Sequence, residues 1–258
     1  KQKTAYEIMP SLVGSEMCIR DRGCSGFYYW HWRGLFYPEE LPTNKWLEFY
    51  AEHFNALEIN SSFYHWPRES TLKNWVKKTP ENFKLVLKAN REITHIKRFK
   101  DTKALVEDFY RLADLLGEKL AGILFQLPPS IHKSNEFFEQ MQEQLNVEYK
   151  NFIEFRHKSW FCKEVYDKMK KAKLCFVSVS APKRLGMPEN IVKTSKDVYI
   201  RFHGVEQWYR YDYSEKELQS WAEKVKKVRP KALYAFFNND FNASAPKNCL
   251  KLKELLGD

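Results

Sequence analysis

The sequence predicts an α/β protein of the (β/α)8 barrel type, and three observations carry that prediction. Eight strand-like runs alternate, for the most part, with amphipathic helix patterns over 258 residues, which fits a barrel better than an open sheet. Several runs end in polar groups: Ala56-Leu57-Glu58-Ile59-Asn60, Asn151-Phe152-Ile153-Glu154-Phe155-Arg156-His157, Val198-Tyr199-Ile200-Arg201-Phe202-His203 and Ala235-Phe236-Phe237-Asn238-Asn239-Asp240. In a barrel, strands that repeatedly end in chemistry gather it at their C-terminal ends. The chain also has no Gly-x-Gly-x-x-Gly or Walker-type loop, which argues against a nucleotide-binding Rossmann fold.

The expected strands are 23–25, 56–60, 84–89, 121–127, 151–156, 174–180, 197–203 and 232–238. The first is the weakest. Met9 to Arg22 resembles a string that recurs when sequencing adapters are translated, so residues 1–22 are set aside as a non-native or disordered segment. Arg20-Asp21-Arg22 lacks the β-branched and aromatic residues a strand favours, and the first strand is expected to be short or incomplete. Residues 23–258 then form one domain.

Thr43 to Phe54 has helical spacing, with Thr43 or Asn44 as its N-cap. Lys103 to Leu116 repeats the pattern with Leu105, Phe109, Leu112, Leu115 and Leu116 on one side. Asn135–Leu145, Lys163–Lys171 and Ser214–Val228 complete the main set. Ser214-Glu215-Lys216-Glu217 opens the last of these with capping-box spacing. Residues 181–190 read as a loop.

At 43% hydrophobic and 16% aromatic the chain can fill a large core. Its formal charge is +10 and its pI about 9.2, which favours anionic partners: phosphorylated metabolites, nucleic acid or acidic surfaces. Lysines spread over exposed helix faces would give the same number. The five cysteines form no Cys-x-x-Cys pair, which reads as a reduced, cytoplasmic protein without a disulfide framework or zinc knuckle. Cys24, near a strand end, is a candidate reactive thiol. No apolar stretch is long enough to cross a membrane, and no membrane partner is expected.

On a strand, side chains alternate, so Glu154 and Arg156 share a face. Charges are costly to bury unless they are paired or reach a solvated pocket. The barrel reading brings Glu58, Asn60, Lys88, Gln126, Glu154, Arg156, His157, Arg201, His203, Asn239 and Asp240 to one mouth, with Ser61, Tyr64, His95 and Tyr211 reaching it from loops. Glu154 is the expected base or charge partner, and His157 or His203 the proton-transfer group. Arg156 and Arg201, with Lys88, are expected to bind an anion. Each has a plainer alternative. Glu154–Arg156 can be a structural ion pair, Glu58 and Asn60 can satisfy buried neighbours, and His203 can simply end a strand. Trp30-His31-Trp32 reads more readily as packing than as a stacking platform.

A resemblance supports the barrel. Gly23-Cys24-Ser25-Gly26-Phe27 followed by Trp32-Arg33-Gly34-Leu35-Phe36-Tyr37-Pro38 resembles the opening of the YecE-like family, also called domain of unknown function 72. Further matches follow in family order: Glu58-Ile59-Asn60-Ser61-Ser62-Phe63-Tyr64, Thr94-His95, Phe125-Gln126-Leu127-Pro128-Pro129-Ser130, Glu154-Phe155-Arg156-His157 with Ser159-Trp160, Arg201-Phe202-His203-Gly204, Tyr213-Ser214 and Phe237-Asn238-Asn239-Asp240. The resemblance implies a TIM-type barrel and supplies no activity. The sequence departs from it at Ser178-Val179-Ser180-Ala181-Pro182, where many relatives resemble Asp-x-Pro.

Three functional classes stand open. The first is a cofactor-free hydrolase, lyase or isomerase for a phosphorylated or otherwise anionic substrate. The second is a divalent-metal enzyme of the sugar-isomerase or endonuclease type, using Glu58, Glu154, His157, His203 and Asp240 as ligands. Against it, no His-x-His or His-Glu-x-x-His spacing exists, and adjacent arginines repel cations. The third is a nucleic-acid-binding protein without chemistry. Oligomeric state is not legible.

Overall fold

The structure, a computed structural model, describes residues 19–257. Eight parallel strands alternate with helices at every connection but one: β1 (Ile19–Cys24), β2 (Ala56–Ile59), β3 (Lys84–Lys88), β4 (Leu120–Gln126), β5 (Asn151–Glu154), β6 (Cys175–Ser180), β7 (Asp197–Phe202) and β8 (Ala232–Phe237). Between β6 and β7 only a 3-10 turn at Lys183–Leu185 intervenes. The helices are α1 (Trp46–His53), α2 (Ser61–Tyr64), α3 (Glu69–Lys78), α4 (Lys103–Ala113), α5 (Asn135–Gln144), α6 (Lys163–Lys171), α7 (Glu215–Val228) and α8 (Ser244–Leu256). The sheet runs β1-β8-β7-β6-β5-β4-β3-β2. This is the expected (β/α)8 barrel.

Strand alternation divides the apolar residues into two cores. Ala56, Val86, Leu124, Phe152, Val177, Tyr199, Tyr234 and Phe236 fill the barrel interior. The opposite parity, including Leu57, Leu87, Phe125, Ile153, Ile200 and Phe202, packs outward against the buried faces of the helices. The Tyr199 and Tyr234 rings lie 4.6 and 5.2 Å from the Phe152 ring, a plug of aromatic area below the mouth.

Two expectations are corrected. Residues 19–22 are not set apart from the fold: they begin a six-residue β1 whose register with β8 runs from Ile19 opposite Ala232 to Cys24 opposite Phe237. The partner strand supplies a backbone ladder that intrinsic propensity does not anticipate. Residues 1–18 lie outside the described residues. The helix over 43–54 has no side-chain cap at Thr43 or Asn44, because residues 43–45 form a 3-10 turn that leads straight into α1. Ser214 does form the expected capping box with Glu217. Helices α2, α3 and α8 are additions to the main set.

The barrel closes between β1 and β2 largely through side chains. One backbone bridge, Ser25 with Glu58, joins them at the top. Below it, the Tyr50 hydroxyl accepts from the Cys24 N–H at 2.6 Å and donates to the Ala56 carbonyl at 3.0 Å. The Asn55 amide accepts from the Arg22 N–H at 3.0 Å and donates to the Arg20 carbonyl at 2.8 Å. These side chains satisfy strand groups that a full ladder would pair. Gly23 permits the approach, since a Cβ there would fall 1.9 Å from the Ala56 carbonyl oxygen.

Tyr50→Phe removes both seam bonds at once from a fully buried position. It should lower unfolding free energy by about 1–3 kcal/mol. Urea denaturation checks this, and unchanged stability would contradict the seam.

Candidate active site at the barrel mouth

The inner-face residues change from apolar to ionisable toward the C-terminal ends of the strands. Tyr199 is followed on the same face by Arg201 and His203, Phe152 by Glu154 and Arg156, Val86 by Lys88, Leu124 by Gln126, and Ala56 by Glu58 and Asn60. The result is a buried polar layer above an aromatic plug.

Arg201 is its hub, with no exposed surface. One terminal nitrogen donates to Glu154 Oε2 at 2.6 Å and the other to Glu58 Oε1 at 2.5 Å. The second also lies 3.4 Å from Ser25 Oγ. Tyr199 donates its hydroxyl to Glu58 Oε2 at 2.5 Å. Arg156 Nε sits 2.5 Å from Glu154 Oε1, and its guanidinium lies 4.4 Å from the centre of the Trp208 ring.

His203 donates from Nε2 to Glu154 Oε1 at 3.0 Å, while its Nδ1 accepts from the Asn238 amide at 3.2 Å. Arg156 Nη2 also lies 3.2 Å from His203 Nε2, and the donor role of Nε2 is assigned from the nearer Glu154 carboxylate and from the Asn238 NH2 on the other side of the ring. Burial, then Arg156, pushes His203 well below its ordinary value and keeps the ring neutral. Burial alone would raise the Glu154 carboxyl, but Arg156, Arg201 and His203 hold it well below the usual carboxylate range. Glu154 is therefore an anion at neutral pH.

Lys88 lies across the mouth, its Nζ 4.1 Å from the centre of the Phe63 ring. Burial, reinforced by Arg201, lowers its amine to about 7. His95 approaches the same ring at 4.9 Å, and its Nε2 is 3.5 Å from the Gln126 amide. Burial, then Lys88, pushes His95 down to about 4. The loop after β7 turns back at Gly204 (φ 98°), where a Cβ would meet the Gln207 carbonyl at 2.5 Å. That turn brings Trp208 over Arg156.

Other expected site residues lie elsewhere. His157 stacks on His132 at 3.8 Å and accepts from the Ser159 N–H, capping the turn after β5. The Asp240 carbonyl accepts from Trp32 Nε1 at 2.8 Å, and its carboxylate stands 3.5 Å from His31. Asn239 donates to the Tyr211 carbonyl and to Asn248, tying the β8 loop to α8. Tyr211 donates to Glu217, and Ser61 is exposed at the start of α2. Tyr64 is exposed on the rim of an open depression of about 560 Å³ shared with Trp66, Asn90 and Arg91. Asn60 donates to the Ser25 carbonyl at 3.1 Å, but its buried Oδ1 has no partner among the described residues. Arg201 is occupied by two carboxylates and does not stand open to a ligand.

Tyr199, Phe63, Trp208 and Asn238 are site residues that the sequence reading misses. Tyr199 and Asn238 share inner-face parity with Arg201 and Phe236, a usable signal. Trp208 and Phe63 come from loops, where no periodicity places them. Cys24 is fully buried, and burial raises its thiol well above the ordinary value, so it is poorly suited to thiolate chemistry. Among the described residues no three or more His, Cys, Asp or Glu are grouped to hold a metal ion. Of the five suggested ligands, Glu58, Glu154 and His203 are engaged with arginines, tyrosine and each other, while His157 and Asp240 sit on separate loops. No described helix is long and apolar enough to cross a membrane.

The family model for the protein of unknown function DUF72 matches residues 22–258. The chain belongs to the DUF72 family. It is 27% identical over 263 residues to UPF0759 protein YunF of Bacillus subtilis (strain 168), covering 90% of this chain and 93% of that one. UPF0759 protein YecE of Escherichia coli (strain K12) is 26% identical over 118 residues, 45% of this chain and 43% of the relative. A crystal structure of a DUF72 family protein from Thermotoga maritima MSB8 superposes with a TM-score of 0.85 at 32% identity, covering 93% of this chain and all of that one. One from Enterococcus faecalis V583 gives 0.82 at 22% identity, over 93% and 96% of the two chains, which supports the shared fold. The DUF72 match begins one residue before Gly23 and spans every residue of the mouth network.

Arg201→Met would leave two buried carboxylates without their shared cation, and should cost about 3–5 kcal/mol. Tyr199→Phe removes one bond to Glu58 and should cost about 1.5–3 kcal/mol. Guanidinium unfolding of both variants tests the hub. A smaller loss for Arg201→Met than for Tyr199→Phe would contradict it.

Proposed function

We propose that this DUF72 protein is an enzyme acting on a small phosphorylated or otherwise anionic substrate at the C-terminal mouth of the barrel, through carboxylate–histidine acid–base chemistry. The observation that carries the proposal is an excess of basic over acidic groups in the mouth layer. Lys88, Arg156 and Arg201 face Glu58 and Glu154, and Arg201 is taken by both carboxylates. An anion seated near Arg156 and Lys88 would meet a guanidinium and, at Lys88, an amine that no carboxylate pairs.

Buried groups with displaced proton affinities concentrate where barrels carry their chemistry. In this reading Glu154 holds His203 in one tautomer, His203 moves the proton, and Arg156 under Trp208 binds the anionic group. The buried, unpartnered Asn60 Oδ1 is a further acceptor at the C-terminal end of β2. A panel of sugar phosphates and oxo acids, followed by NMR, is the direct search. For the substrate so found, Glu154→Gln and His203→Ala should each lower kcat by about 10²–10⁴-fold. Arg156→Ala should chiefly raise KM. Full turnover in either acid–base variant would overturn the roles of Glu154 and His203.

A second reading, nucleic-acid binding without turnover, is favoured by aromatic rings exposed on the rim. Trp30 is 62% exposed with Arg33 at 5.3 Å, and Phe241 is 42% exposed with Arg210 at 4.6 Å. Such pairs suit base stacking beside phosphate. Affinity for a single-stranded oligonucleotide that falls steeply with salt, without turnover of any small anion, would select it.

A further inference from the structure

We propose that Lys88 is a nucleophilic amine that condenses with an aldehyde or ketone on the anionic substrate to form an imine. This deepens the anionic-substrate reading and rests on it, adding a carbonyl to the substrate class.

Two buried lysines of this fold meet opposite surroundings. Lys119, 8% exposed, gives its ammonium three oxygen acceptors: the Val76 and Thr79 carbonyls at 2.6 and 2.7 Å and Thr79 Oγ1 at 3.1 Å. That is how a fold accommodates a buried ammonium. Lys88, 9% exposed, has no hydrogen-bond or ion-pair partner for its amine among the described residues. Its nitrogen rests on the face of Phe63 instead. A lysine kept only for stability would be cheaper as methionine. At the C-terminal end of an inner barrel strand, an unpaired amine is placed where substrates arrive.

Its neighbours suit the chemistry. Burial and the nearby Arg201 and Arg156 guanidiniums disfavour a further cation, so much of the amine is unprotonated at neutral pH. The free lone pair attacks the carbonyl carbon, a carbon–nitrogen bond forms, and the carbonyl oxygen leaves as water with the two amine protons. No redox partner is needed. Arg156 remains to hold the anionic end of the substrate, and the neutral His95 shares the Phe63 ring with Lys88.

The probe is glyoxylate, a small anionic aldehyde, with cyanoborohydride to reduce the imine, applied to the whole chain and read by peptide mass mapping. Lys88 should be labelled at least about tenfold faster than any surface lysine at pH 7, because a neutral amine is the nucleophile. Its rate should rise to a plateau with a midpoint near the amine value of about 7. The Lys88→Arg variant, folded by circular dichroism, should lose the fast site. Labelling spread evenly over surface lysines, or a Lys88 rate still climbing beyond about pH 9 as theirs does, overturns the inference, and the wild-type map alone suffices to show it. Inorganic phosphate binding, measured by calorimetry, separates the two layers. Phosphate binding abolished by Arg156→Ala without fast labelling sinks the imine and leaves the anion site. Fast labelling without phosphate binding supports the amine and sinks the anion site. Failure of both sinks both.

Discussion

The mouth of this barrel is organised by Arg201, which holds a carboxylate at each end of its guanidinium. Glu58 stands on β2, Glu154 on β5 and Arg201 on β7, so the two ion pairs span the barrel interior. Desolvating such charges costs several kcal/mol per ion, and the cost is offset only when the remaining lone pairs are also met. Tyr199 completes Glu58, and Arg156 with His203 completes Glu154. Each added partner fixes the next: Glu154 sets the tautomer of His203, and Trp208 lies over Arg156. The network is a scaffold in which the inner members serve geometry and the outer members face the mouth.

That division explains why the ionisable groups differ so much in character. Glu154 is surrounded by cations and stays charged. His203 is buried and His95 half-buried, both beside cations, and both stay neutral. Lys88 has no carboxylate of its own, so burial lowers its amine to about 7 and it is the basic group the fold leaves unpaired. The closure of the barrel follows a related economy. Tyr50 and Asn55 pair the edges of β1 and β2 from the side-chain level, below the Ser25–Glu58 bridge that anchors the hub's first carboxylate.

Much of the fold was legible because two periodicities dominate the chain. Runs such as Cys175–Ser180 and Ala232–Phe237 are β-rich, and helices such as Lys163–Lys171 carry a clear apolar stripe, so element type and order could be read directly. Inner-face parity also placed Glu58, Lys88, Glu154, Arg156, Arg201 and His203 together. Loops obey no such rule. His157 follows an inner-face arginine in sequence, yet the chain has already turned and the ring caps Ser159 instead. Trp208 reaches the mouth only because Gly204 adopts a positive φ. Residues 19–22 look unlike a strand in isolation and become one because β8 offers a free edge. That Arg201 would be fully satisfied while Lys88 would not depends on side-chain lengths across the barrel, which spacing along the chain does not encode.

The central claim is that the mouth holds an unpaired basic group, the Lys88 amine, whose protonation an anion would shift. Side-chain NMR of Lys88, assigned with the Lys88→Arg variant, tests it most directly when titrated with and without inorganic phosphate. The account predicts a transition at about 7 in the free protein that moves upward when phosphate binds, since a nearby anion favours the ammonium. A Lys88 transition at about 10, shared with surface lysines and indifferent to phosphate, would contradict it.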